Sequence, residues 1–493
     1  MGKQRSRSGC LTCRTRHVKC DEKQPECGNC AKGHRVCRQE DRQALIIRRY
    51  RGPGQRNDDA SSPLSQSSGG LSCEQLKFGT VVSPGSVGSS PHFDSPRLQT
   101  LTSRDALLVH HYAVHLGRWL DCTDALQQFS VKIPTLSRQS PILLQAIISF
   151  AARHVGDTEA ADSAHEKCIA MLIVRLGSED VANDNVLLCA IVILRVFEQL
   201  SAVLTGSDNE RHLAGCNALL RASQGSTLDL TAPTLREAAF WIYLRQCLHT
   251  ACINQQPPHV DFSLQLLPMP SANQGGDESR YLDSTPQEET AWANKIIWLC
   301  ALVVQFCFGT LAGGTDRSLF HLNQDVGGRL RDWEQLKESI ADWDRSKPPN
   351  FDPIWEGDEG GENLAGNPFP TLLFTADRHV VAFGFHVLAS MLLLAHKPRP
   401  RFAVRSTGQA TRDDADVESE ILQYGRRLCG SCWRAPYTVP ARITLCHTVF
   451  VWGALIKDVR EREGLVLLLH ELERDHAWPT AWIISSLRDE WNS

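Results

Sequence analysis

The sequence predicts an all-α protein built in unequal parts, and three observations carry that expectation. Six cysteines fall between Cys10 and Cys37. Residues 52–100 then contain 23 glycines, prolines or serines among 49 positions, too little apolar surface to offset the entropy of ordering. From Leu101 onward apolar residues return at three- and four-residue steps, the period of a helix face. The expected layout is a small basic module over 1–56 holding the cysteine run 10–37, a disordered linker over 57–100, and an all-helical domain over 101–493.

The cysteine run reads CLTCRTRHVKCDEKQPECGNCAKGHRVC and is one unit written twice: Cys10, Cys13 and Cys20 recur 17 positions later as Cys27, Cys30 and Cys37. Thiolates are soft ligands, and zinc takes four of them tetrahedrally. Three thiolates per half leave each metal one ligand short. Two zinc ions need eight coordination positions from six sulfurs, so two sulfurs bridge. The first cysteine of each half is the natural bridge. One metal then takes Cys10, Cys13, Cys20 and Cys27, the other Cys10, Cys27, Cys30 and Cys37.

With its cysteines, its basic residues before Cys20, the acidic Asp21 after it and Pro25 in the inter-half loop, this run resembles the fungal zinc binuclear cluster (Zn2Cys6) DNA-binding domain. The rival is a disulfide-stapled or single-zinc knuckle. It is disfavoured because an intracellular compartment keeps thiols reduced and residues 2–9 are a short basic arm with no apolar core after it.

Charge points the same way. Residues 1–56 carry 15 Lys and Arg against five acids, while the whole chain stands at −4, so residues 57–493 carry −14. Confined basic charge is the footprint of a phosphate-binding surface, here double-stranded DNA. Arg14, Arg16, His17 and Lys19 fill the first half, whereas Lys32, His34 and Arg35 of the second are interrupted by Gly33. The first half is therefore the expected reader helix, which the resemblance places in the major groove. His17 stands where many family members have a lysine that donates to guanine edges. A neutral imidazole offers one donor in place of three.

Residues 38–56 lack the heptad seam of a coiled coil, because Leu45, Ile46 and Ile47 are followed by Arg48, Arg49, Gly52 and Pro53. Any homodimer is therefore expected to form through the helical domain. The linker holds four Ser-Pro pairs, at Ser62, Ser83, Ser90 and Ser95, for which linker composition is the favoured account and proline-directed phosphorylation the functional alternative.

Helical periodicity is expected over 104–120, with Ser103 as cap, then over a helix opened by Ser140 and Pro141. Further helices are expected at 159–176, 184–204, 208–223, 233–254, 287–311, 317–345, 370–396, 415–434, 440–460 and 464–491, with no competing strands. The early His- and Leu-rich helix with His111 and Tyr112, the proline-started second helix, and His212, Leu213 and Gly215 resemble the fungal-specific transcription factor regulatory domain. The apolar runs 296–311 and 380–395 fall short of a membrane span and read as buried helices, so no membrane partner is expected.

Enzyme constellations fail on spacing. In HELERDH the residue four after His470 is Arg474, where a zincin needs histidine, and His476 comes too late. His110, His111 and His115 include an i, i+4 pair but no third ligand accompanies them, which favours packed or surface histidines. The CGSC of Cys429 and Cys432 falls late in a helical segment, not between a strand and a helix as a thioredoxin-like pair requires. The acidic runs 358–362 and 413–420 read as solvated loops, with coactivator contact as the functional alternative.

The expectation is a nuclear, non-enzymatic, sequence-specific transcription factor that contacts the transcription machinery. The resemblance implies a pathway-specific regulator of metabolic genes, such as a secondary-metabolite biosynthetic cluster. The alternative is a zinc-stapled protein-interaction module on a helical scaffold.

Overall fold

In the computed structural model the chain forms two compact units, Met1–Ser89 and Ser90–Ser493. The residues described are 12, 18, 21, 23, 27–33 and 37 of the first, and 100–177, 184–201, 227–269, 284–309, 326–357, 367–398, 407–433 and 439–492 of the second. The expected linker, the expected helix 208–223 and His212, Leu213 and Gly215 lie outside them.

The described part of the first unit contains the short helix α1, Gly28–Lys32. In the second unit α2, Ser103–His111, runs through a π-helical turn, Tyr112–Leu116, into α3, Gly117–Leu120. The cap is Thr102, not the expected Ser103: its hydroxyl accepts from Asp105 N at 3.1 Å and donates to the Asp105 carboxylate at 2.7 Å. A Ser103 cap would put Ala106, which has no carboxylate, at the third helical position.

A second π turn, Gln128–Lys132, and α4, Ile133–Ser137, were not expected from the periodicity. They start on a tertiary cap. The buried Asp121 carboxylate accepts from Phe129 N at 2.8 Å and from Ser130 N and Oγ at 2.6 Å. Burial pushes that carboxyl up to about 7, against the downward pull of these bonds.

Helix α5, Pro141–His154, begins as expected, with Ser140 Oγ accepting from Leu143 N at 3.4 Å and proline at the first turn. It packs against α6, Thr158–Leu176, and α7, Asn185–Ser201. Helix α8, Leu235–Asn254, follows, capped by Thr234, and then α9, Pro286–Phe308, which starts on a Thr285/Glu288 capping box. The remaining helices are α10, Val326–Ser346, α11, Asp377–Ala395, α12, Thr407–Trp433, α13, Val439–Trp452, α14, Val459–His476, and α15, Ala481–Asn492. Helix α12 starts eight residues before the expected 415, because the polar run TGQATRDD has no apolar period to read.

The fold is all-α with two minimal ladders, which corrects the expectation of no strands. Thr227–Leu228 (β1) pairs parallel with Gln265–Leu266 (β2), and Trp355–Gly357 (β3) pairs antiparallel with Thr371–Leu373 (β4). The last of these lies inside the expected helix 370–396. Pro368 and Pro370 disfavour helix in the residues before them, so the chain stays extended until Ala376. The expected helix 464–491 likewise breaks where Ala477 turns left-handed, φ 55°, just before Trp478 and Pro479.

Helices α9 and α11 pack on each other at the centre. Both are long and apolar enough to cross a membrane by length and composition, at 23 and 19 residues, so length does not settle the matter as the sequence reading expected. Their burial does: 67% and 72% of their apolar windows lie inside the unit. Trp343 Nε1 donates to Trp292 O at 2.9 Å and Trp333 Nε1 to Leu393 O at 2.8 Å, so these tryptophans bury area with their polar tips satisfied. A buried ion network links α9 to α11. Glu289 is 5% exposed, accepts from Asn350 and Ser284, each at 3.1 Å, pairs with Arg378 and lies 3.3 Å from His379.

Candidate metal centre

The site begins with how the chain turns at Cys27. Its backbone is extended, φ −72° and ψ 146°, and its carbonyl accepts from Cys30 N and Ala31 N, both at 3.0 Å. Its sulfur takes the place of a capping hydroxyl: Sγ accepts from Cys30 N at 3.4 Å. A CxxC turn thus places two sulfurs at the start of one helix. Cys27 N donates in turn to Cys37 Sγ at 3.3 Å, which draws the third thiol in from ten residues away.

The three ligand atoms lie within 4.8 Å of one another, and Cys27 and Cys30 are 1% exposed. Sulfurs on one tetrahedral zinc stand ~3.8 Å apart for bonds of ~2.3 Å, so the group closes on a single ion with little movement. Backbone N–H groups aimed at two of the sulfurs favour the thiolate form. The donor set fits the metal that the spacing implies. Among the described cysteines none forms a disulfide.

Asp21 completes the geometry. Its carboxylate oxygens accept from Gly28 N at 2.9 and 3.2 Å, tying the residue after Cys20 to the first residue of α1. A Cβ on Gly28 would lie 2.6 Å from Asp21 Oδ2, so glycine permits the approach. The sequence reading used Asp21 only as part of a resemblance. Cys10, Cys13, Cys20, Arg14, Arg16, His17 and Lys19 lie outside the described residues.

The constellations weighed as enzymes have ordinary structural settings. Cys429 and Cys432 are 0% exposed inside α12, and burial pushes the Cys432 thiol up to about 11. Glu471 pairs with Arg442 at 3.3 Å, and His470 faces solvent. Of the acidic runs, 358–362 lies outside the described residues, while Asp416, Glu418 and Glu420 are exposed on α12.

A sulfur-capped helix with convergent thiols, in one chain with an all-helical unit, defines a cysteine-cluster protein. Residues 8–44 match the fungal Zn(2)-Cys(6) binuclear cluster domain and residues 106–268 the fungal specific transcription factor domain. Both matches point to the fungal Zn2Cys6 transcription factors. It is similar to the adhesion and hyphal regulator 1 of Candida albicans, 67% identical over 33 residues, 7% of this chain and 5% of that protein. It is also similar to the white-opaque regulator 2 of the same species, 32% identical over 102 residues, 20% of this chain and 22% of that one. Transcription activator AMTR1 of Alternaria alternata is 67% identical over 33 residues, 7% of this chain and 4% of its own. The chain thus spans less than a quarter of the length of each of these relatives. No solved structure matches.

Proposed function

We propose that this chain is a nuclear transcription regulator that reads double-stranded DNA through residues 10–37, under the control of an all-helical domain over 101–493 joined by a 57–100 linker. The observation that carries the reading is the convergence of Cys27, Cys30 and Cys37 at the start of α1, in a stretch where 15 basic residues face five acids. Two zinc ions, held by Cys10, Cys13, Cys20, Cys27, Cys30 and Cys37, supply folding energy to a module too small for a core of its own. Cys27 caps and bridges, Asp21 holds the helix start, and Arg14, Arg16, His17 and Lys19 face the duplex.

Phosphate contacts by these cations set affinity, and base edges reached from the first half set sequence preference. The likeness to white-opaque regulator 2 covers 102 residues, more than the cysteine run alone holds, and supports the regulatory reading. The finer reading is a pathway-specific regulator of metabolic genes, such as a biosynthetic cluster, dimerising through its helical domain and contacting the transcription machinery with exposed acids of α12.

The test is a DNA mobility shift by the full chain at increasing salt, with metal content measured on the same samples. At least two zinc ions per chain and binding that falls steeply with salt are expected. Cys10→Ala, which removes a ligand from both ions, is expected to cost more than Cys13→Ala. One zinc per chain sinks the bridged arrangement, and salt-insensitive or absent DNA binding sinks the reader.

A further inference from the structure

A second group of metal-ligating side chains lies in the helical unit, in residues 100–177 and 439–492. His111 ends α2, and His115 follows it four residues later across the π turn, their rings 4.9 Å apart. The fold brings His154, the last residue of α5, to His111, with Nε2 of the one 3.1 Å from Nδ1 of the other. Trp119, 9% exposed, floors the group, 5.3 Å from the His154 ring and 6.0 Å from the ring of His476 at the end of α14. Four imidazoles from three separate chain segments thus come together, two of them, His154 and His476, against the ring of Trp119. The third ligand that the local spacing lacks is supplied by tertiary structure.

We propose that His111 Nε2 and His154 Nδ1, with His115 and His476 at the rim, form a binding site for a divalent transition cation of borderline softness, distinct from the cysteine cluster. Two nitrogens of a tetrahedral zinc site stand ~3.3 Å apart for bonds of ~2.0–2.1 Å, so the 3.1 Å pair already has the right bite. Without a cation these nitrogens share one proton. With one, the tautomeric proton moves to the outer nitrogen of His111 and both inner lone pairs face the metal, with no net proton release. All-imidazole ligation selects zinc, copper, nickel or cobalt over magnesium or calcium. His115, exposed and with its ring 4.9 Å from that of His111, is the third ligand of the proposed site. The His154 Nε2 atom is buried without a hydrogen-bond partner, so nothing anchors that ring in a different role. π turns recur at functional sites, and this one carries His115. The bound ion ties α2, α5 and α14 together.

The test uses the full chain reconstituted with two equivalents of zinc, which its thiolates take first, then titrated with cobalt(II) and read by visible absorption. One further equivalent is expected, with the weak d–d bands of nitrogen and oxygen ligation and without sulfur-to-cobalt charge transfer. His111→Gln and His154→Gln are expected to abolish it, and His115→Gln to weaken it about 10–100-fold. The neighbouring His110→Gln is expected to leave it unchanged. Circular dichroism checks folding, and should His154→Gln fail to fold, His115→Gln decides. No additional cobalt, cobalt retained in both His111→Gln and His154→Gln, or equal weakening by His110→Gln overturns the proposal and leaves a neutral histidine–histidine hydrogen bond.

Discussion

Replacing Asp21 with alanine removes the acceptor that holds the start of α1. The carboxylate's two oxygens, at 2.9 and 3.2 Å, share the single N–H of Gly28, so one hydrogen bond is lost, not two. Hydrogen bonds to charged groups are worth ~1.5–3 kcal/mol. This one is exposed to water, and α1 has only five residues to build a dipole, so the expected loss is about 1–2 kcal/mol. In a module where folding and metal binding are one equilibrium, that loss appears as metal retention about 5–30-fold weaker. Asp21→Asn keeps an acceptor without the charge and should fall between. Gly28→Ala forces the carboxylate aside, since its Cβ would sit 2.6 Å from Oδ2, and should cost nearly as much. On the Asp21→Ala background the same change should cost nothing further, because the clashing atom is gone. The assay is equilibrium transfer of zinc from the full chain to a chromophoric chelator. Wild-type retention by Asp21→Ala, or an equal cost of Gly28→Ala with and without Asp21, would refute the reasoning.

In the helical unit, Gly430→Ala would place a Cβ 1.6 Å from the Pro370 carbonyl oxygen, a backbone atom that cannot turn away. Overpacking of that severity should cost about 3 kcal/mol or more in chemical denaturation, whereas Gly177→Ala, with its nearest atom at 3.5 Å, should change little. Glu289→Ala strips the buried network of the carboxylate that joins it and should cost about 3–5 kcal/mol; an unchanged midpoint would show that Arg378 and His379 find water instead. Burial holds His447 down to about 3, and His386, also by burial, to about 4, so both stay neutral when folded and protonate near 6.5 when unfolded. The unfolded state then binds more protons, and stability should fall as pH drops below about 6.5, by up to ~1.4 kcal/mol per pH unit for each histidine. Tryptophan fluorescence follows this, because all 12 tryptophans lie between Trp119 and Trp491. Native-state alkylation should spare Cys429 and Cys432, and rapid labelling would show that α12 opens.

What the sequence by itself determined is what short-range chemistry carries. The cysteine spacing singled out Cys27, Cys30 and Cys37, whose sulfurs the fold brings within 4.8 Å of one another. Ser140 with Pro141 opens α5 where expected, because a cap and a fixed φ act within one turn. The two long apolar helices were legible as core, although their burial and not their length proves it. Tertiary structure decided the features whose energy comes from distant partners. The turn at Gln128–Lys132 exists because Asp121 caps it, and β4 exists because β3 pairs with it. The contact of Asp21 with Gly28 joins residues seven apart in the chain. His111 looked like half of an incomplete pair until α5 brought His154 to it from 43 residues away. Periodicity records which face of a helix is apolar, but it does not record which helix lies against that face. A group assembled from several segments therefore becomes visible only once the segments have packed.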